Sequence, residues 1–226
     1  MGGGSARAAP AVAAIALALA FALGACGGGD SGDDASAAPL KRGDREPANI
    51  LIVLDASEAM GDDERLDKAR EALDSFAREL PEGDGVGLAA YSDRFRPLVP
   101  ISPVPGVRAR LSDALSGVEA AGDAALYDAG LEAYGIQREL AGEDRIDGIL
   151  LIAHAPDSGS ESGAARVEKL FEAQAGSATR VRVITVSYDD GPADALAALA
   201  RASGGRAYES DVDELEAVLR KAWNGL

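Results

Sequence analysis

The chain has few of the residues that carry most enzyme chemistry. Its 226 residues include one cysteine, Cys26, one histidine, His154, and one tryptophan. A single thiol excludes any disulfide within the chain, so stability must come from the core. A single imidazole leaves only a thin shell for a transition metal. Aromatic residues make up 4% of the chain, too few for a base-stacking surface. Positive charge is also scarce: 22 Lys and Arg against 38 Asp and Glu give a formal net charge of −16. That excess opposes nucleic acid, whose phosphates need a basic face, and opposes docking on anionic lipid by overall charge. No glycine-rich stretch has P-loop or dinucleotide spacing, and no G-x-S-x-G elbow is present.

Apolar residues, by contrast, are plentiful, at 47% in regularly punctuated blocks, enough for one sizeable core. Residues 49–55, NILIVLD, form a continuous apolar run, as a strand buried on both faces requires. Residues 64–80 carry Leu66, Ala69, Leu73, Phe76, Ala77 and Leu80 at helical spacing, closed by Pro81 and Gly83. Further strands are predicted at 85–92, 147–153, 180–188 and 206–210, and further helices at 106–120, 124–140, 164–176, 193–205 and 211–224. Residues 93–101 are a candidate short strand whose two prolines place it at a sheet edge. Asp211 is a candidate N-cap for the last helix. Strands alternating with helices predict an α/β fold with helices on both faces of the sheet. In such sheets ligands bind beyond the carboxyl ends of the strands. Here those ends hold DASEAM (55–60) and AHAPDS (153–158).

The first 47 residues follow a different pattern. After Arg7 comes an uncharged apolar segment, residues 8–23, too short for a typical membrane span of about 20 residues. Leu23-Gly24-Ala25-Cys26 follows. This resembles a bacterial lipoprotein signal, with residues 1–25 as the signal peptide. The resemblance implies cleavage before Cys26, lipidation of its thiol, and an extracytoplasmic domain anchored to the cell membrane. With Gly27 after the cysteine, the outer membrane is implied if the cell has two membranes. Residues 26–47 are rich in Gly, Asp, Ser and Pro and read as a flexible tether, leaving 48–226 as the domain. The tether contains Arg42-Gly43-Asp44, a tripeptide that this composition readily produces by chance.

Several segments together, in this order and spacing, resemble the von Willebrand factor type A (vWA) family. They are ILIVLDASEAM (50–60), ALYDAG (125–130), RVRVITVSY (180–188) and ALARASGGRAYES (198–210). The resemblance implies a Rossmann-like fold, with a mostly parallel central sheet of about six strands and one short antiparallel edge strand. The family commonly seats a divalent cation atop the sheet in a metal-ion-dependent adhesion site. Its pattern is Asp-x-Ser-x-Ser after the first strand, a Thr before the third helix and an Asp after the fourth strand. Here Asp55 and Ser57 match, but Ala59, Ala124 and His154 stand at the other three positions. Two alanines supply no ligand, and an imidazole is a poor donor for Mg²⁺.

The site is therefore expected to be vestigial, with no bound cofactor. Asp55, Ser57, Glu58, Asp123, His154 and Asp157 remain as candidate binding-face residues. Glu58, Asp123 and Asp157 could alternatively rebuild an oxygen cage for Mg²⁺. His154 is either a plain loop residue or an imidazolium that stands in for the cation against Asp55. The same residues also admit a His154–Asp55 transition-metal site and a hydrolytic Ser57–His154–Asp55 arrangement. The function expected from the resemblance is non-enzymatic, metal-independent protein binding or scaffolding at the bacterial cell envelope. The partner would be an unidentified envelope or extracellular protein, with membrane attachment through Cys26 and no role for nucleic acid. The alternative is a cation-dependent adhesin with a rebuilt site.

Overall fold

The computed structural model describes Leu40 and residues 45–226. The signal segment, Cys26, most of the tether and Arg42-Gly43-Asp44 lie outside the described residues. Six strands form one sheet in the order β3-β2-β1-β4-β5-β6. They are β1 (Ala48–Asp55), β2 (Gly85–Tyr91), β3 (Phe95–Pro103), β4 (Ile146–Ala153), β5 (Val181–Tyr188) and β6 (Ala207–Ser210). All neighbours run parallel except β2 and β3, which pair antiparallel with irregular register. The proline-bearing segment is thus the edge strand, with Pro97, Pro100 and Pro103 along it. It has nine residues, among the longest in the sheet rather than short.

Six helices cover the sheet: α1 (Arg65–Glu79), α2 (Val104–Ser116), α3 (Leu126–Leu140), α4 (Ala164–Gln174), α5 (Ala193–Ser203) and α6 (Leu215–Asn224). Strand alternation divides the core in two. Ile50, Ile52 and Leu54 of β1 pack with α1, α2 and α6, where Phe76 and Trp223 meet edge to face at 5.5 Å. Leu51 and Val53 face α3, α4 and α5. Both cores lie within the described residues, which form one compact unit. At the end of α5, Gly204 takes φ 73°, a left-handed helix stop that glycine adopts without strain. Asp211 precedes the last helical stretch, but its side chain makes no capping hydrogen bond, and a short 3-10 turn, Val212–Glu214, intervenes.

Connections run from β1 toward β2 and β3 on one side and toward β4, β5 and β6 on the other. The switch point therefore lies between the carboxyl ends of β1 and β4. Asp55 closes β1 and Ala153 closes β4, so the loops singled out in the sequence sit side by side at that crevice.

Candidate functional site

The centre of the crevice is Asp55, whose side chain is fully buried. A buried carboxylate needs partners for its lone pairs. Asp55 takes all of its partners from the main chain. Oδ1 accepts the Ser57 N–H at 2.8 Å. Oδ2 accepts two more, from His154 N at 3.1 Å and Ala155 N at 3.0 Å. One side chain thus clamps the loop after β1 to the loop after β4.

His154 does not act as the cation substitute. The chain turns at the end of β4 so that the N–H groups of His154 and Ala155 aim at the carboxylate, and this sends the imidazole across β5. There Nδ1 lies 3.0 Å from the Tyr188 carbonyl oxygen, which fixes Nδ1 as the protonated nitrogen. No ion pair joins His154 to Asp55. Ser57 Oγ is buried without a hydrogen-bond partner, so nucleophile, base and orienter form no relay.

The remaining loops interlock through main-chain, hydroxyl and carboxylate hydrogen bonds. Ala56 N donates to Tyr91 O, Glu58 N to Gly122 O, and Ala121 N to Ala56 O. Ala124 is a buried hub: its N–H donates to Ser158 Oγ, and its carbonyl accepts Ser158 N and Gly159 N. The first turn of α3 leaves N–H groups without helical partners. Ser160 Oγ accepts those of Tyr127 and Asp128 and donates its own proton to Asp157 Oδ1. Asp157 also accepts Tyr127 N at 3.3 Å. Asp128 answers from the helix, accepting Glu161 N and Ser162 N. Burial opposes its charge, but these bonds and nearby Arg166 win, so its carboxyl sits below the usual range.

Sequence reasoning placed Asp157 here as a potential metal ligand, whereas its geometry is that of a helix cap. It overlooked Ser160 and Asp128, although SGSES after the strand is rich in capping residue types. Glu58 and Asp123 are exposed at the rim, and Asp157 and His154 are half-buried, while Asp55 and Ser57 lie beneath the surface.

Two tyrosines flank the clamp. Tyr91 is fully buried on β2 opposite Asp55, and no acceptor meets its hydroxyl with hydrogen-bond geometry. Burial, then the Asp55 charge, drive its phenol well above the ordinary value. Tyr188 Oη donates to the Arg65 carbonyl at 3.0 Å. Arg65 itself pairs with Asp189 and with Asp63. It thereby holds together two acidic pairs, Asp63-Glu64 and Asp189-Asp190, that occupy the strained left-handed region.

Burial, with Asp189 and Asp213 adding, pushes Tyr188 up to about 12. The folded state therefore favours the neutral phenol. Stability is intact below about pH 10 and falls as pH rises from there through the folded value. The expected loss is roughly 1–2 kcal/mol, after a discount for solvent screening. Denaturant titrations between pH 9 and pH 12 should show a shallower alkaline decline in Tyr188→Phe.

Residues 50–147 match the sequence model of the von Willebrand factor type A domain. Over this segment the chain is similar to the vWA family, and its six-stranded sheet has the vWA fold. Among solved structures, a von Willebrand factor type A protein from Catenulispora acidiphila aligns with TM-score 0.68 at 18% identity, over 79% of this chain and 42% of that one. Proximal thread matrix protein 1 from the mussel byssus, solved with zinc in its metal-ion-dependent adhesion site, aligns with TM-score 0.62 at 12% identity, over 79% and 47%. BatB from Bacteroides thetaiotaomicron aligns with TM-score 0.59 at 17% identity, over 78% and 96%. At these identities the likeness is one of fold. The chain spans less than half the length of the first two. No curated protein matches the sequence.

In this vWA-like fold the residues that stand at the expected adhesion-site positions do not fit a hard octahedral cation. Ala59 and Ala124 offer no side-chain oxygen, the His154 imidazole is turned to Tyr188, and both Asp55 oxygens already accept main-chain donors. Ser57 Oγ and one lone pair of Asp55 Oδ1 remain unengaged, too few hard oxygens for the protein share of a Mg²⁺ shell. Among the described residues no group of three or more His, Cys, Asp or Glu could hold a metal ion.

Proposed function

We propose that this vWA-like domain is a non-enzymatic, metal-independent protein-binding module, held at the bacterial cell envelope by lipid on Cys26. The observation that carries this reading is the Asp55 clamp. Three main-chain N–H groups solvate the buried carboxylate in place of a cation, so the loops keep their shape unaided. A rigid sheet top with fixed loops and an acidic rim is suited to a protein partner that presents a basic surface. The lipid-anchor reading rests on the Leu-Gly-Ala-Cys segment. It is compatible with the described residues, where no helix is long and apolar enough to cross a membrane.

A second reading, a cation-dependent adhesin, is favoured by one observation: Ser57 Oγ is buried and unpartnered. A photo-crosslinking residue at Glu58 or Asp123, used on intact cells, separates the two. Capture of the same partner in Mg²⁺ and in EDTA is the expected result. Capture only with the cation would support the adhesin. Capture at neither position would remove the binding face altogether.

A further inference from the structure

The scarce positive charge is not evenly spread. Strand alternation puts Arg182 and Ile184 of β5 on one sheet face, and Arg206 and Tyr208 stand next to them on the adjoining chain. Arg180 lies two residues before Arg182. The three guanidinium groups act on one another: burial, then repulsion from Arg180 and Arg206, hold Arg182 below its usual range, with only Glu46 opposing. Among the described residues, none of the eight ion pairs includes Arg180, Arg182, Arg206 or Lys221, and no carboxylate is within ion-pair distance of them.

The groups surround a depression. A cavity of about 250 Å³ between the end of α6 and the sheet is lined by Arg182, Gly204, Arg206, Tyr208 and Gly225. It adjoins a more open hollow of about 550 Å³ that Lys221 borders. Arg206 Nη1 rests so close to Gly225 that a Cβ there would fall 3.0 Å away. The C-terminal end of α6 offers about half a negative charge, and Leu226 with its terminal carboxylate also lines the cavity; together they offset part, not all, of the three guanidinium charges. Gathering like charges around a hollow, in a chain with so many acids to spare, is unfavourable unless an anion fills it.

We propose that this corner binds a phosphate group, and that the group is the headgroup of an anionic phospholipid in the membrane that carries the chain. The proposal rests on the lipid-anchor reading above. Glu46, the one acid acting on Arg182, lies where the tether meets β1, twenty residues after Cys26. An extended chain of that length reaches at most about 70 Å, so the corner stays within range of the bilayer. The acidic rim around Glu58 and Asp123 lies toward the other ends of the strands, roughly 13 Å along β5 from the level of Arg206 and roughly 20 Å from Arg182. Both separations exceed the Debye length of about 8 Å at physiological salt, so the rim's charge is largely screened at the corner. Each basic side chain near an anionic leaflet strengthens binding about fivefold. Seated this way, the domain turns its rim outward toward a protein partner.

The test uses the chain from Cys26 onward, since the cores lie wholly within that part. Its only thiol is coupled to a maleimide lipid in phosphatidylcholine vesicles, with or without about one quarter phosphatidylglycerol. Energy transfer from Trp223, the only tryptophan and a residue of the last turn of α6, to a dansyl headgroup reports docking. Transfer should at least double, an increase of about twofold or more, when phosphatidylglycerol is present. It should return to the phosphatidylcholine level in about 0.5 M salt, and in Arg182→Glu and separately in exposed Arg206→Glu, with circular dichroism unchanged. Equal transfer in both vesicles, or in wild type and Arg206→Glu, would overturn the proposal. So would tight binding of inorganic phosphate that phosphatidylglycerol vesicles do not match, which would identify a soluble anion as the ligand. Coupling is chemical, so failure here leaves the anchor reading intact. That reading fails separately if Cys26→Ser does not abolish labelling with radioactive palmitate in cells.

Discussion

Asp55→Ala is expected to lower the unfolding free energy by about 4 kcal/mol, the largest effect of any single polar substitution in the domain. The substitution removes no apolar packing. It removes the only acceptor for three main-chain donors buried between two loops. Each orphaned buried donor costs roughly 1–3 kcal/mol, and entry of water into the vacated space recovers part of the sum. Asp55→Asn should be nearly as harmful. Its amide keeps one acceptor oxygen but turns an NH₂ toward the N–H groups on the other side. Urea unfolding of both variants checks this, with the melting temperature expected to fall by roughly 10 °C for the alanine form. A loss below about 1 kcal/mol would show that the clamp holds nothing together.

The second large effect is a gain. Ala59→Ser, Ala124→Thr and His154→Asp together return an oxygen to each of the three altered positions beside Asp55 and Ser57. Mg²⁺ needs about six hard oxygens, some from water, and this set can supply its protein share. If the triple variant binds with a Kd of roughly 0.1 mM, then about 10 mM Mg²⁺ adds about 2.7 kcal/mol of stability. That corresponds to a rise of roughly 5–10 °C in melting temperature. Calorimetric titration of the triple variant should show one site. Absence of heat from a folded triple variant would mean that the loop stitching around Ala124, not the missing oxygens, keeps the cation out.

Much of the scaffold was legible in the sequence because buried parallel strands leave an unmistakable trace. Residues 49–55 and 147–153 are apolar on both faces, and the structure pairs them in register as β1 and β4. The prolines of β3 marked an edge for an equally local reason, since a residue without an N–H cannot sit inside a ladder. The site was legible in its positions but not in its contacts. Asp55 and His154 fell side by side as the topology requires, yet complementary charge suggested the wrong atoms. Side-chain identity suggested an imidazolium–carboxylate pair, whereas the local turn supplied main-chain donors, which no residue type announces. The capping roles of Asp157 and Ser160 were hidden similarly, because they serve a helix some thirty residues earlier in the chain. The arginine corner was invisible because its members come from two separate segments that only sheet pairing unites. Net charge, a property of the whole chain, said the opposite of what that corner does.

The loops at the sheet top hold their shape through their own hydrogen bonds. The most direct test is the melting temperature of the unmodified domain in about 10 mM Mg²⁺ and in excess EDTA. The two curves are expected to superimpose within about 1 °C. A stabilisation by Mg²⁺ of several degrees, abolished by EDTA, would contradict it.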